Sequence, residues 1–240
     1  MSPDIIFEDD HLIIVSKPSG ILSIPDRHDP SKANMQDMLS RKYGKIFTVH
    51  RIDRETSGIM CFAKTAEVHA ALSNMFQQRE VEKTYLAFVS GNVQPEEGSI
   101  EAALMPDPLH SGRMKVSPTG KKSLTTYKVI ERFKNCCLVE AGILTGRMHQ
   151  IRVHFKYIGH PCLVDKLYGT NEAIFIRDIK LKNLKVVKSM DTDERPLVAR
   201  TTLHAFRLKL VHPATEKEMI FEAPFPKDLK ALLNQLRKWA

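Results

Sequence analysis

Cysteine is scarce in this chain, and its four cysteines (Cys61, Cys136, Cys137 and Cys162) form no C-x-x-C pair. That spacing excludes the common structural zinc sites and gives no disulfide framework, so they read as reduced thiols. Adjacent Cys136 and Cys137 on a strand would point to opposite faces. Only 11 glycines occur among 240 residues. No Gly-rich phosphate loop, Ser/Gly linker, low-complexity tract or internal repeat is among them, which disfavours nucleotide-binding motifs and a multidomain array. No apolar run approaches the roughly 20 residues of a membrane span, and the acidic opening lacks the basic-then-apolar order of a secretory signal. A cytoplasmic protein is expected. The H-E-x-x-H, G-x-S-x-G and kinase signatures are missing too.

What is present is an ordinary globular composition, 42% apolar and 27% charged, with a formal net charge of +8. Such a chain folds. Its excess of Lys and Arg draws polyanions, which makes nucleic acid the first partner to consider; charge alone fits equally a basic protein that binds nothing.

Coarse elements follow from pattern. Leu12 to Val15 is a short, largely β-branched run closed by Lys17-Pro18-Ser19-Gly20, a strand entering a turn. Met35, Met38 and Leu39 predict a helix ending near Gly44. A stronger helix follows Thr65, a candidate N-cap, with Val68, Ala71, Leu72, Met75 and Phe76 at helical spacing. Thr84 to Val89, Thr125 to Val129 and Cys137 to Val139 read as strands, and Leu232, Leu233 and Leu236 as one face of a terminal helix. The irregular mixture, without βαβα alternation, predicts an α+β fold: one domain over 1–240, on a mixed, largely antiparallel sheet flanked by helices. The stretch 170–200 has the look of an insertion. Its Lys180, Lys182, Lys185 and Lys188 suit either a phosphate grip or an edge guarded by lysines.

Two segments carry chemistry. His50-Arg51-Ile52-Asp53-Arg54-Glu55-Thr56-Ser57-Gly58 sets one carboxylate between two arginines before a small, Gly-closed turn. An Asp flanked by Arg is by itself an ordinary surface ion pair. Thr145-Gly146-Arg147-Met148-His149-Gln150-Ile151-Arg152 leads into a helix whose Met148, Ile151, Phe155 and Ile158 predict an apolar face, with His149, Arg152 and Lys156 on the face beside it. Such a helix can hold a guanidinium toward a carboxylate.

The first segment resembles the H-R-L-D-x-x-T-S-G signature of the RluA-type pseudouridine synthases, with Ile52 in place of Leu. Lys83-Thr84-Tyr85-Leu86-Ala87 is similar to that family's K-x-Y-x-A strand, Gly146 to Arg152 to its G-R-x-H-Q-I/L-R, and His160-Pro161 through Asp165 to Gly169 to its H-P-x-x-x-D-x-x-Y-G. Lys17-Pro18-Ser19-Gly20, Leu203-His204-Ala205 and His212-Pro213 also look like family elements, in the family's order.

The resemblance implies an enzyme that isomerises uridine to pseudouridine in RNA, tRNA and/or 23S ribosomal RNA, with no cofactor and no metal. No obligate protein partner is evident. The resemblance assigns catalysis to Asp53, Tyr85 and Arg152: Asp53 attacks or deprotonates the nucleoside, Tyr85 packs beside the flipped base, and Arg152 pairs with Asp53. Arg51 would fill the gap left in the RNA, and His50, Arg147, His149 and Ile151 would contact substrate. The small S4-type RNA-binding domain of many members is not expected ahead of the first strand. Two rivals belong to other classes: a non-catalytic RNA-binding protein with the same fold, and a glycosylase that would release free base.

Overall fold

The structure is a computed structural model that describes residues 4–180 and 195–240. Among the described residues the chain order is β1 (Asp4–Glu8), β2 (Leu12–Lys17), α1 (Met35–Tyr43), β3 (Phe47–Thr48), β4 (Ser57–Ala63), α2 (Ala66–Gln78), β5 (Glu82–Ser90), β6 (Glu97–Glu101), β7 (Leu104–Pro106), β8 (Met114–Val116), β9 (Leu124–Arg132), β10 (Cys136–Ile143), α3 (Gln150–Tyr157), α4 (Ile176–Lys180), β11 (Leu203–Val211), β12 (Glu218–Glu222) and α5 (Lys227–Trp239). These group into two compact units, Met1–Thr84 with His204–Pro224, and Tyr85–Leu203 with Phe225–Ala240.

In the first unit the strands run in the order β1-β2-β4-β11, with β12 beside β11 and β3 beside β4. Every pairing there is antiparallel except β4 with β11. The sheet is therefore mixed and mostly antiparallel, as the α+β expectation required. β4 is buried along its whole length, which is why Ile59 to Ala63 is a continuous apolar run without polar alternation. Helix α2 closes one side: the Thr65 hydroxyl caps it by accepting from the Val68 N–H, and Val68 and Leu72 enter a core with Leu12, Ile14, Ile59 and Leu208. Helix α1 starts at an Asn34 cap on the Asp37 N–H and stops at Gly44, where φ is +75°.

The second unit holds β5-β10-β9-β6 in that order and a separate β7–β8 hairpin. Its core joins Phe88, Phe133, Leu138 and Leu163 to Leu229, Leu232 and Leu236 of α5. The same core takes Ile174, Ile179 and Val198, and the Ile174 N–H donates to Val198 O at 2.8 Å. Both ends of the suspected 170–200 insertion are thus core; Lys182, Lys185 and Lys188 lie outside the described residues. All four cysteines are free and buried.

One expectation is corrected. Helix α3 begins at Gln150, and Met148, placed on its apolar face from sequence, precedes it and is exposed. The intervening His149 adopts φ +56°, a left-handed turn that breaks the assumed helical register before the helix starts.

Candidate active site

In the first unit Asp53 sits, partly buried, on the loop between β3 and β4. The Lys17-Pro18-Ser19-Gly20 turn and the residues after it hold that loop. The Lys17 ammonium, with no exposed surface, donates to Pro18 O at 2.9 Å, Ile21 O at 2.7 Å and Arg54 O at 3.0 Å. Ser19 Oγ donates to Glu55 O and Ser23 Oγ to Ile52 O, at 2.8 and 2.7 Å. The Gly20 N–H donates to Arg54 O, and Arg54 Nε donates back to Gly20 O. Four consecutive residues around the carboxylate, Ile52 to Glu55, are thus fixed through backbone carbonyls or by their own peptide turn, Thr56 N–H donating to Asp53 O at 3.1 Å. Such tethering limits how far Asp53 can drift.

The exit from the loop is equally constrained. Gly58 has φ +112°, and a Cβ there would lie 2.1 Å from Ala205 O, so the closing glycine of the motif permits β4 to approach β11. Beside it Ser57 Oγ lies 2.9 Å from His204 Nδ1, and His204 Nε2 donates to Ala223 O at 2.9 Å.

His50 and Arg51 precede Asp53. The His50 Nε2 accepts the Cys61 N–H at 3.0 Å and its ring stacks on Phe76 at 4.7 Å. Desolvation, reinforced by the charge of Lys83, pushes its pKa down to about 3, so the ring is neutral and serves the β4 backbone. Arg51 is exposed.

The second unit holds the other five residues singled out from sequence. Tyr85, on β5, is buried. Gln150 organises the loop before α3: its Oε1 accepts from Thr145 Oγ1 and the Arg147 N–H, and its Nε2 donates to Leu124 O and Thr125 Oγ1. Arg147 is half-buried, and its Nε, itself enclosed, has no hydrogen-bond partner among the described residues. His149 Nδ1 lies 2.7 Å from the Tyr168 hydroxyl, which also accepts the Met114 N–H. Ile151 and Arg152 are buried, Arg152 at 4% exposure.

Sequence reasoning put Arg152 on a helix face and gave Asp165 no role, yet Asp165 is its partner. Arg152 Nε meets Asp165 Oδ2 at 2.7 Å and Nη2 meets Oδ1 at 2.8 Å, a fork on fully enclosed oxygens. Burial acts to raise the Asp165 carboxyl pKa, but the Arg152 hydrogen bonds and charge, with the Leu167 and Tyr168 N–H groups, outweigh it and leave it below the ordinary value. The signal was available as the Asp of the H-P-x-x-x-D run. Lys17 and Gln150 were likewise quoted within motifs without their positioning roles being apparent. Among the described residues no group of three or more His, Cys, Asp or Glu could hold a metal ion.

A family model described as RNA pseudouridylate synthase matches residues 11–157. The chain belongs to the RNA pseudouridylate synthase family. The match takes in the Asp53 loop, Tyr85 and the whole of α3, Gln150–Tyr157. The chain is 36% identical to the dual-specificity RNA pseudouridine synthase RluA of Escherichia coli, over 92% of each. It is 34% identical to ribosomal large subunit pseudouridine synthase D of Nitrosomonas europaea over 97% of its own length, spanning 65% of that relative. An uncharacterized RNA pseudouridine synthase of Bacillus subtilis, YhcT, is 35% identical over 95% of the chain and 70% of its own length. In fold it is similar to human RNA pseudouridylate synthase domain containing 4, with TM-score 0.74 at 23% identity over 98% of this chain and 93% of that one. The family's members are isomerases acting on RNA, which favours the catalytic reading of this chain over the non-catalytic one.

Proposed function

We propose that the chain isomerises specific uridines of tRNA and/or 23S ribosomal RNA, with Asp53 as the reacting carboxylate. The observation that supports this most is the loop bearing Asp53: a single carboxylate within the family signature, tethered on both sides by Lys17, Ser19 and Ser23. In the proposed reaction the target uridine leaves its stack, the bond from C1′ to N1 breaks, and the ring turns so that C5 joins C1′. The C5 proton is lost and N1 gains one. The atoms balance without water, oxidant or reductant, so the chemistry calls for no metal and no cofactor. Tyr85 would pack against the extruded base, Arg152 would pair with Asp53, and Arg51 would take the vacated place in the RNA, since aromatic and guanidinium planes substitute for lost stacking. Arg147, His149 and Ile151 would complete the substrate contacts together with His50, which lies on the loop between β3 and β4. Among the described residues no helix is long and apolar enough to cross a membrane, and a cytoplasmic enzyme is the setting we propose.

An unpaired uridine in a short loop costs least to extrude, so minimal hairpins should be substrates. The test is tritium release from RNA labelled at uridine C5, with the product digested to nucleosides. Release with pseudouridine in the product supports the proposal; release of free uracil would make the protein a glycosylase, and binding without release would make it a non-catalytic RNA-binding protein.

A further inference from the structure

We infer that Asp165 is a positioning residue for this reaction, acting through Arg152; the inference rests on the role proposed above for Arg152. Three observations carry it. The pair is a fork-on-fork contact through Nε and Nη2, which sets the plane of the guanidinium and turns its Nη1 end away from Asp165. Asp165 is itself pinned, its Oδ1 accepting the N–H groups of Leu167 at 2.9 Å and Tyr168 at 3.1 Å. The Tyr168 ring then flanks the guanidinium, its centroid 5.1 Å from Arg152 Cζ, while its hydroxyl is tied to Met114 and His149. A backbone turn thereby dictates where the Arg152 head group points.

Stability is a poor reason for such a pair. Two charges enclosed at 4% and 0% exposure gain little over well-packed apolar side chains, because desolvation offsets their attraction. Orientation is what the geometry supplies in addition. For a group that must meet a reacting carboxylate, a displacement near 1 Å is enough to slow the chemistry about 100-fold.

Single-turnover tritium release with enzyme in excess, alongside RNA affinity by filter binding, tests this on the full chain. Asp165→Asn should lower the rate constant about 100-fold and leave affinity within about threefold. Asp165→Glu, which keeps the charge but displaces it by a methylene, should also be slow, and it carries the reading if Asp165→Asn melts below the assay temperature. Arg152→Ala with Asp165→Asn should be no slower than Arg152→Ala alone, because Asp165 has nothing left to position. A folded Asp165 variant within about threefold of the wild-type rate, or a double variant slowed by the product of the two single losses, overturns the inference. If the wild-type chain releases no tritium, the isomerase reading has failed first.

Discussion

Lys17 reaches from the end of β2 to the backbone of the Asp53 loop, its ammonium 3.0 Å from Arg54 O. A fully buried lysine is uncommon, and this one donates to carbonyls of its own turn and of the residue after Asp53. Lys17→Met should leave buried acceptors without donors, each costing about 1–3 kcal/mol. We expect a loss near 3 kcal/mol in urea denaturation and a further drop in turnover as the loop loosens. A change under about 0.5 kcal/mol with normal turnover would show that the tether does nothing.

The His50 ring gives a pH dependence of defined sign. Its folded pKa, about 3, lies below the ordinary histidine value, so the fold favours the neutral ring. Its contribution is complete above pH 6.5 and is lost as pH falls from there toward 3, by up to about 1.4 kcal/mol per pH unit. His154, lowered by burial against the opposing effect of Ala102 O, acts in the same direction. His50→Gln, which can still accept the Cys61 N–H, should flatten the stability curve between pH 6.5 and 4. An unchanged slope would mean that the ring is not held neutral.

Much of this was legible in the sequence, because local rules and motif spacing carry it. The Thr65 cap, the Gly44 stop and the Leu232–Leu236 stripe are short-range signals, and each produced the element expected. β12 and the β7–β8 hairpin were not anticipated: β7 and β8 have 3 residues each and β12 has 5, too brief for alternation to show. At the site, the identities of Asp53, Tyr85 and Arg152 could be read from motif order. Their supports could not, since Lys17 and Arg54 are 37 residues apart and Arg152 and Asp165 are 13. Such pairings exist only once the chain is folded.

The lysine-rich stretch gives a prediction about RNA. Each phosphate neutralised by a lysine steepens the salt dependence of binding by about 0.7 to 0.9. Replacing Lys180, Lys182 and Lys185 together with Ala should therefore reduce the slope of log affinity against log salt by about 2 to 3. Lys180 also lies 5.5 Å from the centre of the Trp239 ring, so a small loss of stability should accompany it. An unaltered slope would remove this stretch from the RNA surface.

The central claim is that Asp53 is the group that reacts. Asp53→Asn keeps the shape of the side chain and the loop hydrogen bonds, which run through the backbone. Single-turnover tritium release from C5-labelled uridine RNA, at enzyme concentrations that saturate the RNA, reads its chemistry directly. The account predicts no release above background from Asp53→Asn, with melting temperature and RNA affinity close to wild type; pseudouridine formation by that variant at near the wild-type rate would contradict it.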